Sequence, residues 1–179
     1  INQQIDLNCD GQAEFAGISN NTDSGHTEHL DKVIRHNTVN KVTLSESSGL
    51  IPISGDFDGD GITDLGFRNP STKHYVFRRS SDNDVLSGQF GLQEGDILVI
   101  GDYDGDGKSD LALRRPWNTT WYIKPSSYHG IERIRFGLDP EDIPVQGDYD
   151  GDGKTDLAVA RLKNQMWYVK YSSDDSIGR

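Results

Sequence analysis

The chain predicts an all-β fold built from tandem units of four short antiparallel strands. Three observations carry this expectation. An eleven-residue segment recurs three times at a fixed spacing of 46 residues. Between the copies lie short runs, about 4 to 6 residues each, rich in β-branched and aromatic types and bounded by Gly, Asn, Asp and Ser. No segment sustains a helical period over two turns.

The recurring segment reads Gly55-Asp-Phe-Asp-Gly-Asp-Gly-Ile-Thr-Asp-Leu65, then Gly101-Asp-Tyr-Asp-Gly-Asp-Gly-Lys-Ser-Asp-Leu111, then Gly147-Asp-Tyr-Asp-Gly-Asp-Gly-Lys-Thr-Asp-Leu157. The register extends beyond it. Tyr75, Trp121 and Trp167 align, as do Val76, Tyr122 and Tyr168, and Phe90-Gly91-Leu92 aligns with Phe136-Gly137-Leu138. A weaker copy, Asp6-Leu-Asn-Cys-Asp-Gly-Gln-Ala-Glu-Phe15, stands 50 residues before the first strong one. Self-similarity of this kind organises the chain as one repeat domain. Its units are 1–49 (divergent), 50–95, 96–141 and 142–179.

Each unit offers its strands in the same order. A first strand precedes the loop, as at Ile97–Ile100 or Ile143–Gln146. A second follows it, as at Leu111–Arg115 or Leu157–Arg161. The third is Trp121–Lys124 or Trp167–Lys170, and a fourth runs near Ile134–Phe136. Four short strands per 46 residues is the arithmetic of a β-propeller blade. Beyond Tyr171 only eight residues remain, so the last blade is expected to be incomplete. An open sheet edge of that kind invites pairing with another chain, as a homo-oligomer or a filament.

The three strong loops share the form Asp-x-Asp-x-Asp-Gly-x-x-Asp. Oxygen donors at positions 1, 3 and 5, a main-chain carbonyl at 7 and Gly at 6 follow the logic of a calcium-binding loop. The candidate ligands are Asp56, Asp58, Asp60 and Asp64 with the carbonyl of Ile62; Asp102, Asp104, Asp106 and Asp110 with that of Lys108; and Asp148, Asp150, Asp152 and Asp156 with that of Lys154. Four carboxylates within nine residues repel one another without a cation, and all-oxygen, flexible coordination favours Ca²⁺ over Mg²⁺ or Zn²⁺. The helical flanks and the position-12 Glu of an EF-hand are absent; Phe67, Leu113 and Val159 stand there. Asp-Gly is also ordinary turn chemistry, but a turn does not need four aspartates at fixed spacing. The first loop offers Asp6, Asn8, Asp10, Gln12 and Glu14, one charge fewer, and is expected to bind more weakly.

With these loops and the Trp-Tyr strands that follow them, the chain resembles the FG-GAP/VCBS repeat family. That family is known from integrin α-subunit propellers and many secreted microbial proteins. The resemblance covers residues 50–173 strongly and 1–49 weakly. It implies propeller blades, Ca²⁺ in the hairpin between a blade's first and second strands, an extracellular setting, and adhesion or recognition of a glycan or protein. Family propellers usually have more blades than the four loops here provide.

Composition agrees with a metal-dependent, non-catalytic module. Of 29 acidic residues, 12 lie in the strong loops and three more are Asp6, Asp10 and Glu14, so the chain's 18 basic residues outnumber the acids that remain. A net charge of −11 argues against nucleic-acid binding. No apolar run approaches the ~18 residues of a membrane helix. One cysteine, Cys9, excludes an internal disulfide framework. No nucleophile elbow, phosphate loop or shared histidine appears, so the chain is read as no enzyme. A start at Ile1 fits a processed or excised product, including an accessory domain of a larger secreted enzyme. Tyr75, Trp121 and Trp167 are expected in the packing between blades, and Trp117 at the surface. His26, Glu28 and His29 read as a solvated loop. Asn20 and Asn118 open glycosylation sequons.

Overall fold

The computed structural model describes residues 49–91 and 93–179. All regular structure among them is β, apart from a single 3₁₀ turn at Pro116–Asn118. Twelve strands form three antiparallel sheets of four: β1 (Ile51–Gly55), β2 (Asp64–Arg68), β3 (His74–Arg78) and β4 (Val85–Gln89); β5 (Ile97–Leu98), β6 (Leu111–Arg115), β7 (Thr120–Lys124) and β8 (Glu132–Arg135); β9 (Ile143–Pro144), β10 (Leu157–Arg161), β11 (Met166–Lys170) and β12 (Ile177–Gly178). In each sheet the strands neighbour one another in chain order, and the Asp-rich loop joins the first strand to the second.

The last sheet differs from expectation. Its fourth strand exists but is two residues long, with Val169 opposite Gly178 and Lys170 opposite Ile177. A tight turn makes this possible within eight residues. Tyr171 N–H donates to the Ser176 carbonyl, and Asp175, at φ 61°, donates back to Tyr171.

By contacts the chain divides into two compact units. Among described residues one holds 49–53 and Leu65–Phe90, the other Ser54–Asp64 and Gly91–Arg179. In the first, buried Phe67 and Val76 pack with Leu50 and Val85. Tyr75 stands opposite Gly88, where a Cβ would come within 2.5 Å of its hydroxyl, so this ring requires glycine across the strand.

In the second unit the core lies between two sheets. Val99, Ala112, Trp121, Ile123 and Phe136 come from the β5–β8 repeat, Leu157 and Val159 from β10. The alternation of the strands supplies this: every second residue of β7 is buried, which sends Trp121 and Ile123 inward. The Trp121 indole N–H donates to the Phe136 carbonyl at 3.2 Å, so the ring is satisfied as well as buried. Buried Arg114 donates to the carbonyls of Asp142 and Asp139, in the segment that leads into β9.

A second repeated device ties each of the last two sheets to the segment before it. Arg115 makes a bidentate pair with Asp96 (2.9 and 2.8 Å) and lies 4.6 Å from the Tyr122 ring centroid. Forty-six residues later Arg161 pairs with Asp142 (2.7 and 2.8 Å) and covers Tyr168 at the same distance. Burial works against the charge of Asp142, but its bonds to Arg161 hold the carboxyl below the usual range. The first sheet has Leu50, Asn69 and Val76 at these positions, and its leucine and valine join the apolar cluster instead.

The three aligned aromatics part company. Trp121 and Tyr75 are buried, as expected, but Trp167 is 50% exposed and meets Tyr149 edge-on. Trp121 lies in a core completed by Leu157 and Val159 of the next sheet, whereas Trp167 sits in the last. Trp121→Ala is therefore expected to cost about 3–5 kcal/mol in chemical denaturation, and Trp167→Ala under about half of that. Equal losses would contradict the packing described.

Candidate metal centre

The loops are built around their first aspartate. Asp102 accepts at Oδ1 from Gly105 N–H (2.7 Å) and at Oδ2 from Gly107 N–H (2.9 Å). Asp148 does the same with Gly151 (2.6 Å) and Gly153 (3.0 Å), and Asp56 with Gly59 (2.6 Å) and Gly61 (2.8 Å). The chain must turn sharply to bring those amides back, which explains glycine at positions 4 and 6: Gly105 and Gly107 have φ of 79° and 83°.

The remaining acids each hold a further amide. At position 3, Asp104 accepts from Asp106 N–H at 3.1 Å. Asp106, at position 5, accepts from Lys108 N–H at 2.9 Å. Asp58, Asp60, Asp150 and Asp152 repeat these bonds in the other loops. The aspartate at position 9 closes the site. Asp110 accepts from Tyr103 N–H (2.9 Å) and Ser126 N–H (2.7 Å), Asp156 from Tyr149 (2.9 Å) and Ser172 (2.7 Å), and Asp64 from Phe57 (2.8 Å). All three are buried.

Three groups of carboxylates result: Asp56, Asp58 and Asp64; Asp102, Asp104 and Asp110; Asp148, Asp150 and Asp156. In each, one oxygen per residue lies within 4.8 Å of the others. The structure thus brings together positions 1, 3 and 9. Asp60, Asp106 and Asp152 stand outside these groups, and Ile62, Lys108 and Lys154 enter through the amides they donate to them. Asp6, Asn8, Asp10, Gln12 and Glu14, with Cys9, His26, Glu28 and His29, lie outside the described residues.

The donor set suits a hard divalent cation: it consists of carboxylates alone, without thiol or imidazole. Its electrostatics ask for one. Burial pushes the Asp110 carboxyl up to about 6, against the pull of the Tyr103 and Ser126 amides, and the charges of Asp104 and Asp102 push the same way.

Two features escaped the sequence reading. The loops are linked in series within their unit: Ser109 N–H donates to the Asp56 carbonyl (2.5 Å) and Thr155 N–H to the Asp102 carbonyl (2.6 Å). The hydroxyl-bearing residue at position 8 also lies so close to the preceding repeat that a Cβ on Gly101 would stand 2.6 Å from Thr155 Oγ1. The second feature is a pair of serines on the connection between the third and fourth strands. Ser126 and Ser127 donate to Asp106 and Asp104, and Ser172 and Ser173 to Asp152 and Asp150. The signal was in the sequence, because Ser80-Ser81, Ser126-Ser127 and Ser172-Ser173 keep the 46-residue spacing.

Residues 102–159 match the family model of the FG-GAP-like repeat. The match begins at the first aspartate of one loop and runs through the whole of the next. No curated protein and no solved structure matches the chain. The repeat and the four-stranded sheets together support a β-propeller-like domain.

A carboxyl whose folded pKa is raised adds stability below its unfolded pKa of about 3.9 and loses it as pH rises through the folded value. In chelator, the melting temperature of the wild type is therefore expected to fall relative to that of Asp110→Asn as pH rises from about 4 to about 7, mostly below and around 6. A difference independent of pH would show that Asp110 does not titrate in this range.

Proposed function

We propose that the protein is a calcium-stabilised, extracellular recognition module made of propeller-like blades and without catalytic activity. The Asp-rich loops supply the support, above all the three-acid group that recurs in three repeats. Asp102, Asp104 and Asp110 would hold one ion, with the corresponding residues of the other loops holding theirs. A bound cation supplies the positive charge that these acids lack. The protein's own part is to hold the carboxylates ready: the amides of Gly105, Gly107 and Tyr103 fix their directions beforehand. Because an ion bound only by the folded state adds directly to stability, the hairpins become firmer in its presence. Sites of modest affinity suit an extracellular medium rich in Ca²⁺. The ligand in this reading is a glycan or a protein surface, met by the exposed edges of the blades, where Trp117 is 65% exposed.

One observation favours a second reading, a subunit that joins a second copy of itself through its last sheet. Trp167 and Tyr149 are exposed there, whereas Trp121 and Phe57, at equivalent positions, are buried. Sedimentation of the wild type against Trp167→Arg separates the two readings: a monomer in both supports recognition alone, and a wild-type oligomer that the substitution dissolves supports self-association.

Calcium is expected to raise the melting temperature and EDTA to lower it, with about 2.7 kcal/mol per site at a free concentration a hundred times the dissociation constant. Asp102→Asn should remove one site from an isothermal titration while leaving the others measurable. An unchanged melting temperature in EDTA would defeat the calcium reading.

A further inference from the structure

The eight carboxylate oxygens of the loop at 102–110 each have one donor. Six are met by main-chain amides: Gly105 and Gly107 on Asp102, Asp106 on Asp104, Lys108 on Asp106, and Tyr103 and Ser126 on Asp110. The other two are met by side chains. Ser127 Oγ donates to Asp104 Oδ2 at 2.5 Å and Ser126 Oγ to Asp106 Oδ2 at 2.6 Å. The loop at 148–156 repeats the arrangement with Ser173 on Asp150 (2.6 Å) and Ser172 on Asp152 (2.8 Å). These hydroxyls come from 20 or 23 positions downstream in sequence, across the sheet, so they are not products of the loop's own turn.

We infer that the serine pairs Ser126-Ser127 and Ser172-Ser173 are positioning residues for the metal loops, setting their affinity for a divalent cation. The inference rests on the calcium reading above. A carboxylate oxygen has two lone pairs, so one hydroxyl can orient it while leaving a second lone pair for an ion. Acids crowded on a loop otherwise swing apart, and a cation must then reassemble them at the cost of ordering the side chains. The clamp removes that freedom from the two acids that the loop's amides secure at one oxygen only. Outer hydroxyl and amide partners act on metal sites in this way generally, and their loss weakens binding by about ten- to a hundredfold. The carboxyls of Asp106 and Asp152 lie below the usual range, chiefly because of these hydroxyls, which fits a preference for the charged form.

A bland alternative has the serines only fastening the strand connection to the loop. The two differ in what they move. Ser126, Ser127 and Ser173 are exposed, so their substitution leaves the fold in place. The experiment is isothermal titration of the full chain with Ca²⁺, for the wild type, the variant S126A/S127A/S172A/S173A, and the rescue S127T/S173T, with melting curves in EDTA for each. The clamp predicts at least two sites weakened about tenfold in the alanine variant, an EDTA melting temperature close to wild type, and wild-type affinity retained in the threonine variant, which keeps the hydroxyls. Affinities equal to wild type in the alanine variant would overturn the clamp and leave the calcium reading standing. A lowered EDTA melting temperature with unchanged affinity would give the bland role instead. A wild type that binds no Ca²⁺ would overturn both.

Discussion

Each described repeat turns on an aspartate that solvent barely reaches. Asp110 accepts from Tyr103 at the entrance of its loop and from Ser126 beyond the third strand. One side chain therefore pins three pieces of the blade: both arms of the hairpin and the connection that follows β7. The cost is a carboxylate removed from water, and the amides offset only part of it, as its raised pKa records. Asp156 repeats the arrangement with Tyr149 and Ser172. The fastening of the loop to the connection after the third strand, and with it the placing of Ser126 and Ser172, follows from this buried group.

The same loops set one repeat against the next inside the second unit. Asp102 turns its carboxylate into its own loop while its carbonyl receives Thr155 N–H from the following one, so one residue serves two repeats. Close approach is the reason for the glycine before it: Thr155 occupies the space a side chain on Gly101 would need. At Gly105 the Lys154 side chain passes where a Cβ would lie 2.9 Å from Cε, at a φ that already favours glycine. Gly101, which looks like turn chemistry, is thus also a letter of packing between repeats.

Much of this was legible because periodicity converts single residues into columns. The 46-residue spacing placed the blades, the loops between first and second strands, and the acids of each group. What escaped were residues whose types are common in turns. Ser126-Ser127 reads as an ordinary polar connection until the column is extended to Ser80-Ser81 and Ser172-Ser173. Likewise the Asp96, Arg115 and Tyr122 column recurs at Asp142, Arg161 and Tyr168 and was open to the same reading. The column was misleading at Trp167, because burial of an aligned ring depends on a neighbouring sheet and not on its own repeat. The spacing treated position 5 like positions 1, 3 and 9, whereas Asp60, Asp106 and Asp152 stand outside the groups that the structure gathers.

The distribution of partners supports the proposed ion. Several acids outside the loops are matched by full charges: Asp96 has Arg115, Asp142 has Arg161, and Asp139 has Lys163. The groups Asp102, Asp104, Asp110 and Asp148, Asp150, Asp156 form no ion pair among the described residues. Their partners are amides and hydroxyls, and such dipoles fix the direction of a carboxylate without cancelling its charge. Lys108 and Lys154 draw on Asp106 and Asp152, outside the groups. In these two loops the fold orients negative charges with dipoles and forms no ion pair with them, which leaves their charge open to a cation from solution, as the calcium reading proposes. On that reading the labour is divided, direction from the chain and charge from an ion, in an acidic chain with 33% hydrophobic residues and short two- to five-residue strands.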